Sequence, residues 1–537
     1  MHPIDSHRLN ASIADATGAV PESKSAPPTL GGSRGVWVLI VAIVGSGMNF
    51  IDGTAVNVAL PTIGRELGGD AAGLQWVIEG FSLTLSALVL IGGALGDRFG
   101  RRLVFTIGMT IFTFASLGCA LAPSLVVLNV ARVVQGVGAA LATPGSLALI
   151  GAAFKGEARG RAIGTWSGFG VIAGAIGPVL GGWLAQTASW RDVFLINVPL
   201  GIFVIVAAIV RVSESRDEDL ASSVDWLGAA LATAALGALT FGLIDLQGTH
   251  GASTGVTSIV AGIVLFAAFA FRETHAAAPM VPLDIFRNRT FAGSNLYTLL
   301  LYAALGGSMY FVPFDLQNVQ GYSPTAAGAA GLPFILVMAL ASRWSGGLVA
   351  RVGPRVPLVV GASFAALAFL AYARIGVGGS YWTTFFPAAV LLGIGGAFFV
   401  APLTTTVMDA LDPALAGTAS GVNNAVSRVA GLLAIAALGI ALVATFYASF
   451  DRRVAKLGLS PAAMATVTRE RGTLATGKAP QALAAADRSR VQSTQRDAYV
   501  SGFRVVMLGS TVLCVLAALT ALLTLGRSAT PAKPGAA

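Results

Sequence analysis

Long apolar stretches recur along the whole chain and are separated by short polar segments. Each stretch has about 20 residues or more, which is enough to cross a lipid bilayer as an α-helix. Fourteen can be placed, at residues 37–60, 74–96, 103–122, 125–150, 162–187, 192–211, 225–245, 254–272, 291–317, 323–350, 356–374, 382–409, 415–446 and 500–526. The pattern predicts an all-α integral membrane protein with fourteen transmembrane helices.

The polar segment between the second and third stretches, Gly92–Arg102, reads GGALGDRFGRR, in a chain where 11% of the residues are charged. A basic loop that only fixes topology would explain its arginines, but neither its acid nor its glycines. The spacing Gly-x-x-x-Asp-Arg-x-Gly-Arg-Arg resembles the signature between helices 2 and 3 of the major facilitator superfamily of transporters. The matching positions are Gly93, Asp97, Arg98, Gly100, Arg101 and Arg102.

This resemblance implies that the segment is a conformational gate. In the superfamily the acid approaches the N-terminus of a second-half helix, which here is the thirteenth, near Gly417–Ser420. Negative charge at a helix N-terminus is favourable by roughly 0.3–1 kcal/mol. We therefore expect Asp97 to act as a latch that holds the cytoplasmic side closed, and not as a substrate ligand.

A weaker copy of the signature, Gly346–Arg355, lies in the second half, with Ala350 in the place of the acid. It indicates two related six-helix bundles, at 36–211 and 291–526, with two extra helices in the segment 212–290. Tails at 1–35 and 527–537 complete the predicted organisation. Six plus two plus six helices is the layout of the fourteen-helix drug:proton antiporter branch of the superfamily.

The basic residues fix the predicted orientation. They concentrate in the short loops on one side, which predicts a bacterial inner-membrane protein with both termini cytoplasmic. The net charge of +9 therefore reflects cytoplasmic arginines and does not indicate nucleic-acid binding. One segment disagrees: 447–499 is basic but would face outward. It is predicted to be a partly helical extracytoplasmic loop, unless the helix count conceals a break.

Two charges inside apolar stretches are the first candidates for chemistry, because charges in membranes are expensive to bury. Asp52 in helix 1 and Arg132 in helix 4 lie about eight and seven residues from the outer ends of their stretches. They should therefore meet at one depth and offset each other's desolvation. A permanent structural ion pair, or an aspartate that caps a break at Gly53, are the alternatives. By resemblance, Asp52 matches the helix-1 acid of the drug antiporters.

Other polar positions complete the candidate list. Glu79 in helix 2 is a second candidate proton carrier or, equally, a partly wetted interfacial acid. Asp245 and Asp315 are interpreted as interfacial acids near outer helix ends. Three side chains are assigned to a substrate cavity, namely Gln135, which follows Arg132 in the family's helix-4 motif, and Asn424 and Arg428 of helix 13.

Helix 5 carries glycines at i, i+4, i+7 and i+11, namely Gly170, Gly174, Gly177 and Gly181. They form one smooth stripe that lets another helix pack closely, which by itself is a common packing device. Pro178 should bend the helix. With this Gly-Pro step at its centre, the stretch resembles the antiporter motif of facilitator-type exporters, whose matching positions are Gly174, Gly177, Pro178 and Gly181.

Together these features predict a proton-driven exporter of hydrophobic or amphiphilic compounds that works by alternating access. Its partners would be a small-molecule substrate, protons and the lipid bilayer, with no cofactor, metal or nucleic acid. Export of a polar or anionic metabolite is the alternative within transport, and a non-transporting membrane sensor or scaffold is the alternative of another class. No phosphate-binding loop is present, so ATP-driven pumping is not expected.

Overall fold

The structure is a computed structural model, and it describes residues 33–154, 156–216, 225–246, 252–276, 279, 281, 283–345, 348–411, 416–469 and 482–526. Fourteen helices in these ranges are long and apolar enough to cross a membrane, which confirms the predicted count. We label the main helix of each span α1 to α14, and the sixth and tenth spans, Asp192–Arg211 and Pro324–Ala341, each include a short helix before the labelled one. The first eight are α1 Ser33–Leu67, α2 Ala71–Phe99, α3 Arg101–Ala120, α4 Leu125–Ala153, α5 Gly156–Thr187, α6 Asn197–Arg211, α7 Trp226–Asp245 and α8 Ala252–His275.

The second half contains α9 Arg289–Phe314, α10 Leu332–Ser345, α11 Arg355–Ala373, α12 Phe385–Asp409, α13 Ala416–Val454 and α14 Ala485–Thr524. A short helix, Asp192–Leu195, precedes α6, and another, Pro324–Ala329, precedes α10. The predicted single helix over 323–350 is therefore wrong in detail, since the chain forms separate helical pieces there. Likewise α9 ends at Phe314 and passes into a π-helical turn, Asp315–Val319.

Helices α1 to α6 pack among themselves, as do α9 to α14. The two extra helices, α7 and α8, pack on each other at the side of these two bundles. The α7 helix also touches both bundles, because Leu236 contacts a cluster with Leu83 of α2 and Leu432 of α13. The α7 helix thus covers a seam between α2 and α13.

Small residues bring helices together inside the first bundle. A methyl group added at Gly108 of α3 would stand 2.7 Å from the backbone nitrogen of Ala142 and 2.8 Å from the carbonyl oxygen of Gly138, both in α4. Without a hydrophobic driving force between helices in lipid, such close backbone approach is a main source of helix association.

Several helices are longer than their apolar stretches. The α1 helix continues to Leu67, seven residues past the predicted end, with Pro61 inside it. The α13 helix continues to Val454 and α14 begins at Ala485, so much of the predicted 447–499 loop is helix. Hydropathy reports where the bilayer ends, whereas a helix continues as long as its backbone bonds and propensity allow.

Candidate functional site

Asp52 of α1 and Arg132 of α4 form an ion pair in the first bundle. Arg132 Nη1 lies 2.5 Å from Asp52 Oδ2, and both side chains are completely buried. Arg132 Nε donates to the carbonyl oxygen of Val77 at 2.8 Å, and the guanidinium lies 4.3 Å from the ring centroid of Phe81. The depth expected from the sequence agrees with this meeting of the two charges.

A set of polar side chains surrounds the Asp52 carboxylate. Gln135 Nε2 and Asn197 Nδ2 donate to Asp52 Oδ1 at 3.0 and 3.2 Å. Gln135 Nε2 also donates to Ser116 Oγ at 2.7 Å, and Arg132 Nη1 donates to Gln135 Oε1 at 2.6 Å. Asp52 is thus held by one cation and two amides.

Asn197 and Ser116 were not among the candidates from the sequence. Both are buried polar side chains inside apolar helices, α6 and α3. A polar residue in an apolar helix can be recognised in the sequence as a candidate, but the sequence does not indicate which carboxylate it contacts. Gln135 was assigned to the substrate cavity. Here it is completely buried and belongs to the Asp52 cluster, because its amide bridges the two charges.

Glu79 of α2 has a different environment. Its side chain has no exposed surface, and neither carboxylate oxygen has a hydrogen-bond partner among the described residues. The expectation of a partly wetted interfacial acid is therefore wrong for this conformation. Glu79 lies eight residues inside α2, about 12 Å along the axis. The neighbouring residues Trp76 and Leu83 contact α7 and α13, which cover this part of α2.

Asp315, interpreted as an interfacial acid, is also completely buried. It begins the π-helical turn after α9, and π-helical turns are frequent at functional sites. Gln320 Nε2 donates to its Oδ2 at 3.1 Å, while Oδ1 has no hydrogen-bond partner in the described part of the chain.

Hydrogen bonds between described residues join the two bundles, and three of them lie close together. Asn57 Nδ2 donates to the carbonyl oxygen of Met309 at 3.1 Å, and Gln317 Nε2 donates to that of Val58 at 2.8 Å. The backbone nitrogen of Thr325 donates to Gln186 Oε1 at 3.3 Å. All three lie toward the end of the molecule that holds the α1–α2 connection, which we call the 1–2 end. The opposite end, at Gly100, is the 2–3 end.

The glycines of α5 make two kinds of close contact. Gly177 and Gly181 pack on α1, and a methyl group at Gly181 would stand 2.5 Å from the carbonyl oxygen of Ala55. Gly182 instead packs on the carbonyl of Pro324, and Gly328 packs on that of Pro178, across the bundle interface. Gly174 has open space around it.

A cavity of about 380 Å³ lies between the bundles beside these contacts. It is lined mainly by apolar groups from α1, α5, α9, α10, α11 and α12, among them Pro178, Met309, Phe334 and Tyr372. Neither Asn424 nor Arg428 lines this cavity. Asn424 is exposed, and Arg428 is half-buried with no hydrogen bond or ion pair to any described residue.

At the 2–3 end, Glu214 organises the turn between α2 and α3. Its carboxylate accepts hydrogen bonds from the backbone nitrogens of Arg102 and Leu103 at 2.9 and 3.1 Å, and so caps the N-terminus of α3. Arg102 Nε lies 3.5 Å from the same carboxylate. Gly100 has a φ of 118°, which favours glycine, and a methyl group there would meet Glu214. No pattern in the sequence indicated this role of Glu214.

The remaining gate residues are only partly placed. Gly93 lies near Pro144 of α4, Arg98 lies over the ring of Phe99, and the backbone nitrogen of Arg101 donates to the carbonyl of Ser215. The side chain of Asp97 lies outside the described residues, as do those of Gly417 to Thr418 and Ser420. The latch therefore stays a prediction. In the second copy, Gly346 is likewise outside the described residues, while Gly353 has a φ of 73° and so matches Gly100.

Comparison with known proteins identifies the family. The family model described as Major Facilitator Superfamily matches residues 42–435. The chain belongs to the major facilitator superfamily. It is therefore a multi-pass membrane transporter of small-molecule substrates, and not an enzyme.

Its relatives include drug-resistance proteins of bacteria. The chain is 34% identical to multidrug resistance protein Stp of Mycobacterium tuberculosis, over 77% of each chain. It is 34% identical to the tetracenomycin C resistance and export protein of Streptomyces glaucescens, over 75% of each chain. It is 31% identical to drug efflux pump JefA of Mycobacterium tuberculosis, over 91% of this chain and 96% of the relative.

Among solved structures, the fold resembles that of a bacterial homologue of the human lysosomal transporter Spinster in an inward-facing conformation. The TM-score is 0.62 at 20% identity, over 92% of this chain and 97% of that one. At this identity the match shows the shared fold alone.

Proposed function

We propose that the chain is a proton-coupled antiporter that exports hydrophobic or amphiphilic compounds from the bacterial cytoplasm across the inner membrane. Relatives that are named for drug resistance and export support drug export, and the apolar lining of the cavity suits such substrates. The bases at the 2–3 end, such as Arg98 and Arg101, support placing that end and both termini in the cytoplasm.

The observation that carries proton coupling is the isolation of Glu79. An ionised carboxylate without a cation or hydrogen-bond donor is very costly to bury. A proton on Glu79 removes that charge, so in this conformation the protonated acid is the form that fits. When the bundles move apart at α2 and α13, water or substrate reaches Glu79 and the proton can leave. Asp52 is the second coupling group, and it takes a proton only when Arg132 is drawn away from it.

Proton binding at Glu79 is tested with a dye that the protein exports. In detergent, dye binding to the wild type should release protons, and inverted membrane vesicles should concentrate the dye only with a proton gradient. Glu79→Gln should lose both activities, because an amide cannot release a proton. The matched control is Glu66→Gln, since Glu66 is half-exposed and paired with Arg191. If Glu79→Gln still accumulates the dye at the wild-type rate with a proton gradient, Glu79 is not the proton carrier and Asp52 takes that role.

Alternating access is supported by the contacts between the bundles, which lie toward the 1–2 end. With the proposed orientation, this conformation is closed to the outside and opens toward the cytoplasm. Closure then depends on Gly182 and Gly328, where a side chain would collide with a backbone carbonyl that no rotamer change can move.

The glycine contacts give a direct test of alternating access. Gly328→Ala should hold the 1–2 end open, which slows export at least tenfold and reduces crosslinking between cysteines placed at Gln186 and Thr325. The native cysteines, Cys119 and Cys514, are buried. Gly168→Ala, in open space on α5, is the control and should crosslink like the parent. Equal crosslinking in Gly328→Ala and Gly168→Ala would contradict the proposed closure.

A polar or anionic metabolite is the second candidate substrate. One observation favours it, namely the half-buried guanidinium of Arg428 that pairs with no described residue. A vesicle assay that compares cationic with anionic dyes distinguishes the two classes, and Arg428→Gln should weaken only anion export.

A further inference from the structure

A second cavity lies outside the transport pathway, between the extended ends of α13 and α14. It has a volume of about 540 Å³ and opens beyond the 1–2 end of the second bundle. Its walls come mainly from the segment 447–499, whose basic composition disagrees with the predicted outward orientation. Neither the proposed transport cycle nor the Asp52 cluster uses these residues.

Three basic side chains line this cavity against one acid. Arg453 Nη1 lies 3.3 Å from Asp497 Oδ2, and Arg453 Nε donates to Ser449 Oγ at 3.2 Å. Arg452 and Lys456 also line the cavity, and neither forms an ion pair within the described part of the chain. The cavity therefore holds two positive charges in excess, and both are exposed enough to reach a ligand.

Hydroxyl groups form the inner wall beside these cations. Ser449 and Thr494 are 5% and 6% exposed, so their side chains are fixed by packing. Ser449 Oγ donates to Ser501 Oγ at 3.3 Å, where the two helices meet. Each of these hydroxyls already donates its proton within the protein, Thr494 Oγ1 to the carbonyl oxygen of Arg490 and Ser501 Oγ to that of Asp497. The cations at the mouth are therefore the donors available to the oxygens of a phosphate group.

The cavity lies at the level where lipid headgroups are expected. The exposed large apolar residues of α14 begin at Val505 and end at Leu523. At 1.5 Å per residue this band is about 27 Å long, close to the thickness of the hydrocarbon core. Ser501 at the base of the cavity is one turn beyond the band, about 6 Å outside it, and Lys456 lies further out.

We propose that this cavity binds an anionic phosphate group, as carried by a phospholipid headgroup or by a soluble phosphate. Bases near an anionic membrane surface attract its lipids by about 1 kcal/mol each. The site also explains why an outward-facing segment is basic, because its bases are gathered around a ligand. The inference does not depend on the direction of transport or on proton coupling.

The test measures binding of phosphatidylglycerol, phosphatidylcholine and inorganic phosphate to the purified full chain, by native mass spectrometry and thermal unfolding. The wild type should bind phosphatidylglycerol and not phosphatidylcholine. Arg452→Gln with Lys456→Gln should weaken phosphatidylglycerol binding about thirtyfold, which corresponds to about 1 kcal/mol for each base. This double variant keeps the Arg453–Asp497 pair, and its unfolding without ligand checks that it folds.

The charge-matched control is Arg287→Gln with Arg469→Gln, which removes two exposed bases outside the cavity and should bind like the wild type. Loss of phosphatidylglycerol binding in the cavity variant alone supports the site and assigns it to a lipid. Saturable binding of inorganic phosphate, lost in the same variant, supports it as a soluble-phosphate site. Equal binding by the cavity variant and the wild type, or equal loss in the control, overturns the proposal.

Discussion

Asp52 and Glu79 are both completely buried carboxylates of the first bundle, yet their environments are opposite. Asp52 has an arginine and two amide donors, whereas Glu79 has no partner among the described residues. The helix α2 separates them. Arg132 lies against Val77 and Phe81, which are four residues apart and share one face of α2. Glu79, two residues from each, points to the opposite face.

This arrangement decides what each carboxylate can do. The cation and amides around Asp52 offset the cost of burying its charge, so its charge is part of the packed structure. Nothing offsets a charge on Glu79, so only a proton can satisfy the site. In the proposed mechanism, Glu79 is the proton carrier because of the face of α2 that it occupies, and depth in the membrane alone does not decide this.

The largest expected effect on stability comes from removing the cation that pairs with Asp52, which leaves a buried carboxylate without a counter-charge, as at Glu79. Arg132→Gln should lower the free energy of unfolding by about 3–5 kcal/mol, because it leaves a buried carboxylate without its cation. Thermal unfolding and denaturant titration in detergent measure the change. Adding Asp52→Asn should restore most of the stability while active export stays lost.

The control for this prediction is Arg191→Gln. Arg191 pairs with Glu66 at 3.2 Å, but that pair is exposed and should contribute less than about 1 kcal/mol. If Arg132→Gln costs no more than Arg191→Gln, the charge of Asp52 is not part of the packed structure, and the contrast with Glu79 disappears.

The sequence was sufficient to find Asp52 and Arg132 at one depth, even though α1 extends seven residues past its predicted end. The apolar stretches indicate the extent of the bilayer, and the depth of each charge was counted from the outer end of its own stretch. The same reasoning failed for Glu79 and Asp315, which were placed at wetted ends. Residues distant in sequence cover that region, with Leu236 and Leu432 packed against α2 beside Glu79. The hydropathy of the local sequence does not reveal such tertiary contacts.

The helical count and the two-bundle pattern were also predictable, because each follows from the local spacing of apolar and polar residues. The Glu214 cap on α3 was not, since it joins residues more than 110 positions apart. For the cavity that we propose to bind a phosphate group, the sequence indicated only that 447–499 is too basic for an outward-facing segment. The bases that line the cavity come together on helices that extend beyond the bilayer.

A smaller effect should follow from removing one amide from Asp52. Asn197→Leu deletes the 3.2 Å hydrogen bond to Asp52 Oδ1 and leaves Arg132 and Gln135 in place. A hydrogen bond to a charged group contributes about 1.5–3 kcal/mol, so the loss should be below that of Arg132→Gln. Asn129→Leu, which removes a donor to the neutral carbonyl of Gly73, should cost about 0.5–1.5 kcal/mol in the same titration. Equal losses would show that Asn197 does not stabilise a charge.

The smallest effect on stability is expected at Glu79, together with the complete loss of coupling. If Glu79 is neutral in the folded protein, Glu79→Gln exchanges one uncharged group for another of the same shape. The free energy of unfolding should then change by less than about 1 kcal/mol, since no charge interaction is gained or lost. Asp52→Asn, measured alongside, should cost several times more because it strands the Arg132 cation. A loss of several kcal/mol in Glu79→Gln would mean that the ionised acid has a partner in the folded protein, and Glu79 would then be a second structural charge like Asp52.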